Sequence, residues 1–89
     1  MLPLEEIMRR LAELGGWILE DNTITRTFEF ANFKEAINFV NRLSEGAERY
    51  NHHPSITINY SRVTLSFTTH SARGLTEKDF ELAAIINRI

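Results

Sequence analysis

Apolar residues recur along the chain at two spacings, and each change of spacing marks a new predicted element. Three segments place apolar residues every three or four positions, which is typical of helices packed on one side. These stripes are Leu4-Ile7-Leu11-Leu14, Phe33-Ala36-Ile37-Val40-Leu43 and Phe80-Ala83-Ala84-Ile86. Four shorter segments have the apolar runs or the alternation that is typical of strands, at residues 17–20, 23–30, 56–60 and 63–68.

Capping and turn residues separate these elements. The signals are Gly15-Gly16 after the first helix, Asp21-Asn22 and Ser61-Arg62 as turns, and the capping pairs Asn32/Glu35 and Thr76/Asp79. We expect the second helix to run to about Tyr50, because Pro54 disfavours helical backbone before it. The predicted order is therefore α-β-β-α-β-β-α.

This order predicts an α+β fold with two layers, in which helices cover one face of a four-stranded, antiparallel sheet. The 89 residues form one domain, residues 1–89. Arg26 is the one charged residue on the apolar side of its strand, so we expect it near an edge. The last helix carries a second apolar face, Leu82, Ile85 and Ile89, which favours contact with a partner, in the first place another copy of the chain.

Composition excludes several classes of protein. The chain has no cysteine, which rules out disulfides, thiol catalysis and cysteine-bound zinc. A net charge of −2 without a basic stripe gives no basis for nucleic-acid binding. We find no apolar run of the ~20 residues that span a bilayer and no basic leader before an apolar segment, so we expect no membrane contact and a cytoplasmic location. A domain this small is often stabilised by oligomerisation.

The histidines are the strongest candidates for chemistry. His52 and His53 lie where the second helix gives way to a strand, and His70 follows the last strand. Because strands joined as a hairpin bring their outer ends together, we expect all three at one sheet edge. Histidine can give and take protons near neutral pH. A single histidine is more often a helix cap than a catalyst; the convergence of three reverses that ranking.

A metal site is the alternative, since three histidines can hold zinc. Adjacent histidines chelate one ion poorly, so we rank a metal site below acid–base chemistry and expect no metal. Glu48 either orients a histidine or pairs with a cation on the surface. Asp79 is a helix cap, a catalytic group or both, and the single Trp17 is best placed in the core.

An ordered pattern of residues resembles a known family. The pattern is Glu48-x-x-x-His52-His53-Pro54, five residues, Tyr60, nine residues, His70, eight residues, Asp79. Around it stand Gly16-Trp17, Phe28-x-Phe30, Phe33-x-x-Ala36-x-x-Phe39-Val40, Thr69-His70 and Gly74-Leu75-Thr76-x-x-Asp79. Together they resemble the signature of the pterin-4a-carbinolamine dehydratases over nearly the whole chain.

The resemblance implies a lyase that dehydrates 4a-hydroxytetrahydropterin to quinonoid dihydropterin in tetrahydrobiopterin recycling, with no cofactor. His52, His53 and His70 carry over as catalytic residues, of which we assign the hydroxyl and ring protons to His52 and His70. The resemblance further implies that the pterin is contacted by Pro54, Thr69, Ser71 and Ala72, and that Glu48 and Asp79 support the site. It also implies a homodimer or homotetramer. The alternative is a protein-binding, assembly or dimerisation-cofactor module on the same fold.

Overall fold

The computed structural model describes residues 1–89 and contains three α-helices and four strands. The elements are α1 (Leu4–Leu14), β1 (Ile18–Glu20), β2 (Thr23–Glu29), α2 (Phe33–Arg49), β3 (Ser55–Asn59), β4 (Arg62–Phe67) and α3 (Glu77–Asn87), with a short 3₁₀ turn at His70–Ala72 before α3. The predicted α+β class and the order α-β-β-α-β-β-α are confirmed. None of the helices is long and apolar enough to cross a membrane.

The strands form one antiparallel sheet in the order β1-β2-β4-β3. The two hairpins have two-residue connections, since Glu20 pairs with Thr23 and Asn59 pairs with Arg62. The second turn is therefore Tyr60-Ser61, one residue earlier than the predicted Ser61-Arg62. Tyr60 adopts a positive φ of 54° there. The register places Ser55, at the start of β3, opposite Ser66, close to the end of β4.

Side chains alternate between the two faces of the sheet. The inner face of the central strands carries Ile24, Val63, Leu65 and Phe67, which are buried under the helices. The outer face carries hydroxyl pairs: Thr25 bonds to Ser66 at 2.9 Å, and Thr27 bonds to Thr64 at 2.9 Å. The outer face is thus the Thr- and Ser-rich surface that the alternation predicts.

Helix α3 packs between α1 and α2. Leu82 is buried in the core on one side, and Phe80 and Ala83 are also buried. The second apolar face of α3 is therefore partly satisfied within the chain, so it is a weaker argument for a partner than the sequence indicated. Exposed apolar side chains lie elsewhere, for example Phe33 of α2, which was predicted to be buried but is 50% exposed.

Arg26 lies in a central strand rather than near an edge, which corrects the expectation. Its Nη1 donates to Oδ1 of Asn87 at 2.7 Å, and its guanidinium lies 4.5 Å from the centre of the Phe28 ring. The same Asn87 oxygen accepts from Nε1 of the buried Trp17 at 2.8 Å. One amide at the end of α3 thus satisfies the two polar groups that project into this part of the core.

Candidate active site

The three histidines border one groove at the end of the β3–β4 hairpin that is opposite the Tyr60-Ser61 turn. The groove has a volume of about 360 Å³ and contains no hydrophobic lining residue. It is lined by Asn51, His52, His53, Thr68, Thr69, His70, Ser71 and Lys78. The structure therefore brings together side chains from the end of α2, the end of β4 and the start of α3.

The end of α2 positions the adjacent histidines. Asn51 has a left-handed φ of 50° and donates its backbone N–H to the Glu48 carbonyl. The next N–H, that of His52, reaches back to the carbonyl of Ala47 at 3.0 Å. These two bonds form a Schellman motif, in which asparagine is tolerated where glycine is usual. The helix is therefore ended by Asn51 rather than by the effect of Pro54, and the turn sends the next two side chains in different directions.

A closed loop presents His70. Thr69 and Gly74 exchange two backbone hydrogen bonds, of 3.1 and 3.3 Å. The 3₁₀ turn His70–Ala72 lies inside this bridge and ends at Arg73, whose φ is 58°. His70 is thus exposed on a short loop whose two ends are bonded to each other.

Beneath the groove lies a fully buried carboxylate. Asp79 is 0% exposed, and its Oδ1 is 2.5 Å from Nε2 of His52. Its Oδ2 accepts from the Thr69 hydroxyl at 2.8 Å and from the Thr76 backbone N–H at 2.9 Å. The last of these bonds belongs to the capping box of α3. The predicted cap and a histidine contact are therefore made by the same side chain.

This network assigns the proton on His52. A carboxylate only accepts hydrogen bonds, so Nε2 of His52 is the donor. The ring also stacks on the buried Phe67, with centroids 5.7 Å apart and planes at 10°. No buried side-chain nitrogen or oxygen lacks a hydrogen-bond partner. The contact with Asp79 uses Nε2, which leaves Nδ1 of His52 without a partner in the protein, and His52 lines the groove.

His53 makes a similar contact in a different environment. Its Nε2 lies 2.5 Å from Oε2 of Glu48, but the two side chains are 53% and 78% exposed. Of the two roles predicted for Glu48, contact with a histidine or with a surface cation, the structure shows the contact with a histidine. The partner is His53, five residues along, rather than His52, because the turn at Asn51 redirects the chain.

The remaining predicted residues are distributed over two grooves. Thr69 and Ser71 line both the histidine groove and a neighbouring groove, whereas Ala72 lines only the neighbour. Pro54 lines neither groove. Lys78, which no sequence motif singled out, lines both. The one sequence feature that could have indicated Lys78 is its position immediately before Asp79.

The three histidines share a groove but are not arranged as a metal site. No group of three or more histidine, aspartate or glutamate side chains is placed to hold a metal ion. Each of the adjacent histidines instead contacts one carboxylate through Nε2.

The fold and this groove define an α+β domain with three imidazoles at one end of its sheet. Residues 1–89 match the family model for pterin 4 alpha carbinolamine dehydratase. The chain therefore belongs to the pterin 4 alpha carbinolamine dehydratase family.

Relatives and solved structures agree with this assignment. Proteins named "Putative pterin-4-alpha-carbinolamine dehydratase" from Chloroflexus aurantiacus and Sulfolobus acidocaldarius are 55% and 49% identical, over 94% of this chain and 90% and 92% of theirs. A crystal structure of a transcriptional coactivator/pterin dehydratase from Brucella melitensis superposes with a TM-score of 0.94 at 36% identity, covering 98% of this chain and 95% of that one. A pterin dehydratase-like RuBisCO assembly factor of the alpha-carboxysome shares the fold at 16% identity, with a TM-score of 0.66, over 81% of this chain and 83% of its own.

Proposed function

We propose that this protein is a hydro-lyase that converts 4a-hydroxytetrahydropterin to quinonoid dihydropterin and water, by histidine acid–base catalysis, in tetrahydrobiopterin recycling. The observation that carries the proposal is the pair formed by His52 and the buried Asp79, placed beside a polar groove that His53 and His70 also border. Family membership supports the same reaction.

The reaction removes a proton from a pterin ring nitrogen and a hydroxyl group from carbon 4a. Asp79 holds the Nε2–H of His52, which leaves the Nδ1 lone pair free to accept the ring proton. His70 gives a proton to the departing hydroxyl. The carbon–oxygen bond then breaks, water leaves, and the nitrogen lone pair forms the new carbon–nitrogen double bond.

The exposed position of His70 suits this role, because its imidazole can recover a proton from solvent after each turnover. His53 assists by binding the substrate or by exchanging protons, and Glu48 orients it. Thr69 and Ser71 line the groove around the ring. Ala72 contacts the pterin from the neighbouring groove, and Pro54 contacts it from the segment between His53 and β3. Each well-placed acid or base contributes about 10²–10⁴-fold in rate, and no cofactor is needed for this step.

We further propose that the protein associates with itself as a homodimer or homotetramer. All five residues of the edge strand β3 are exposed. On its inner side, Ile56 and Ile58 remain 39% and 37% exposed beyond the cover of the helices. An uncovered apolar edge strand is a ready template for pairing with another strand. Light scattering at micromolar concentration tests this, and a strict monomer would contradict it.

A kinetic assay tests the enzymatic proposal. Purified protein is mixed with freshly generated 4a-carbinolamine, and formation of quinonoid dihydropterin is followed against buffer. We expect acceleration that is lost in large part in His52→Ala and in His70→Ala, while circular dichroism shows that both variants stay folded. No acceleration by the wild-type protein would refute the proposal. Full activity after exhaustive chelation would argue against the metal alternative.

A further inference from the structure

The three histidines of the groove are held in two different ways. His52 and His53 are each anchored through Nε2 to a carboxylate. The hydrogen bonds of His70 are made by its backbone instead, whose carbonyl accepts from the Arg73 N–H at 3.1 Å. The position of the His70 ring therefore depends on the backbone of the loop that carries it, residues 69–74.

One end of this loop is tied to the turn between β1 and β2. Thr68 directly precedes the loop, and its hydroxyl donates to the backbone carbonyl of Asn22 at 2.7 Å. The ladder between β2 and β4 ends at the pair Ile24 and Phe67. The Thr68 bond thus continues the attachment of β4 to the first hairpin beyond the end of the ladder, up to the first residue of the loop.

The other end of the loop is tied to residues 1–2, which we call the N-terminal strap. The backbone N–H of Leu2 donates to the carbonyl of the buried Leu75, which follows the loop, at 2.8 Å. Met1 lies over Gly74, the last residue of the loop: a Cβ atom added to this glycine would be 2.7 Å from the Met1 Sδ. The strap therefore contacts the loop where it ends.

The turn and the strap are neighbours. Both line one cavity of about 180 Å³, to which the strap contributes Met1 and Leu2 and the turn contributes Asp21 and Asn22. Leu75 lines the same cavity. The two ties therefore form one continuous support for the loop, made by segments that are far from His70 in sequence.

We propose that Thr68 and the N-terminal strap position His70, by clamping both ends of its loop and so holding the imidazole at the groove. The inference rests on the proposed function, in which His70 gives a proton to the departing hydroxyl. A general acid must lie within hydrogen-bond reach of the atom that it protonates, and a misplacement of about 1 Å can cost about a hundredfold in rate. Thr68 borders the groove, but its hydroxyl is bonded within the protein, so it acts through the loop.

The test replaces the Thr68 hydroxyl with a methyl group of similar size. In Thr68→Val we expect kcat for 4a-carbinolamine dehydration to fall by about tenfold with little change in KM, because the acid is displaced while the substrate still binds. Thr68→Ser keeps the hydroxyl and should retain most of the rate. The matched control is Thr27→Val, which removes a hydroxyl bonded to Thr64 outside the groove and should leave kcat as it is.

A second background separates positioning from a general loss of structure. If Thr68 acts through His70, Thr68→Val should lower kcat no further in the His70→Ala protein. A change that merely loosens the fold would lower kcat by the same factor in both backgrounds.

Amide hydrogen exchange, followed by NMR, gives a readout without substrate. The backbone N–H groups of Thr69 and Gly74 bond across the loop and close it. In Thr68→Val they should exchange about fivefold faster, as expected when one hydrogen bond that holds the loop is lost. In Thr27→Val their exchange should stay at the wild-type rate.

Gly74→Ala tests the strap by an independent route. Gly74 is not among the residues with a positive φ, so alanine can adopt its backbone conformation. The three atoms nearest to the added methyl group all belong to Met1, which therefore has to move. We expect kcat to fall by about threefold or more, again with little change in KM.

The outcomes separate this inference from the enzymatic proposal. Unchanged kcat and unchanged amide exchange in Thr68→Val and Gly74→Ala, beside an active wild-type protein, overturn the clamp and leave the enzymatic proposal intact. An equal fall of kcat with and without His70 also overturns the clamp, since the effect would not pass through that residue. A wild-type protein that does not accelerate the reaction overturns the enzymatic proposal and the positioning role with it.

Discussion

Two contacts at the end of α2 each join Nε2 of a histidine to a carboxylate oxygen over the same distance, but one contact is buried and the other is exposed. The contact between His52 and Asp79 and that between His53 and Glu48 both measure 2.5 Å. The side chains of the first are 11% and 0% exposed, and those of the second are 53% and 78% exposed. Distance alone therefore does not distinguish them, and burial does.

Burial changes the strength of the contact and the number of its partners. Water competes with the exposed pair and screens it, so such pairs contribute about 0–1 kcal/mol. Asp79 has no access to water, and its oxygens also bond to Thr69 and to the cap of α3. Removing one partner of a buried pair leaves the other partner buried, with neither a protein partner nor water to bond to. The first contact therefore fixes one tautomer of His52, whereas the second is an adjustable surface contact.

Replacement of the buried carboxylate should have the largest effect. The carboxylate of Asp79 accepts hydrogen bonds from His52, Thr69 and Thr76. In Asp79→Asn the new NH₂ group faces at least one of these donors and cannot accept from it. We therefore expect the free energy of unfolding to fall by about 2–4 kcal/mol. Urea denaturation measures this loss. A decrease below about 0.5 kcal/mol would contradict the structural role assigned to this network.

Asn51 affects both contacts, because its left-handed turn directs both histidines. A β-branched side chain is poorly tolerated at this φ, so Asn51→Val should cost about 1–2 kcal/mol and reduce activity. Asn51→Gly is the matched control and should retain most of the stability and most of the activity. If valine and glycine behave alike, in stability and in rate, the turn does not place the histidines as described.

The exposed contact should matter much less. We expect Glu48→Gln to change the free energy of unfolding by less than about 0.5 kcal/mol and kcat/KM by less than about tenfold. Its effect should shrink further at high salt, where exposed charges are screened. A loss of stability as large as that of Asp79→Asn would erase the distinction between the two contacts.

The smallest effect should come from Glu6, a half-buried carboxylate without a histidine partner. Hydrogen bonds from Arg9 and then Arg10 lower the pKa of Glu6 below its ordinary value. A lowered carboxyl pKa stabilises the fold above the unfolded-state value and ceases to do so as pH falls through the folded value. Thermal denaturation of Glu6→Gln should therefore differ slightly from wild type near neutral pH and converge with it in strong acid. A difference that grows on acidification would contradict this sign.

Most of the fold could be predicted from the chain because local signals were strong. The capping pair Thr76/Asp79, the turn Asp21-Asn22 and the alternation of β2 all have a direct physical explanation, and each is present in the structure. The errors concern tertiary neighbours. Arg26 was placed near an edge because no local pattern reveals that Asn87, 61 residues away, accepts its hydrogen bond.

The candidate site followed the same division. The hairpin register explains why the sequence alone places His70 beside the other two histidines. The difference in burial between His52 and His53 could not be predicted in this way. The two histidines are adjacent in sequence, and only the turn at Asn51 buries the first and exposes the second. The neighbouring groove could not be predicted from the sequence either, because packing alone brings Met1, Leu2 and Lys78 to it.

The rates of two neighbouring variants test the central claim most directly. His52→Ala and His53→Ala remove the same group from adjacent positions, and the rate of 4a-carbinolamine dehydration is measured for each in folded protein. If the buried carboxylate makes His52 the principal base, His52→Ala should lose about 10²–10⁴-fold and His53→Ala about tenfold or less. Equal losses, or a larger loss in His53→Ala, would contradict the account.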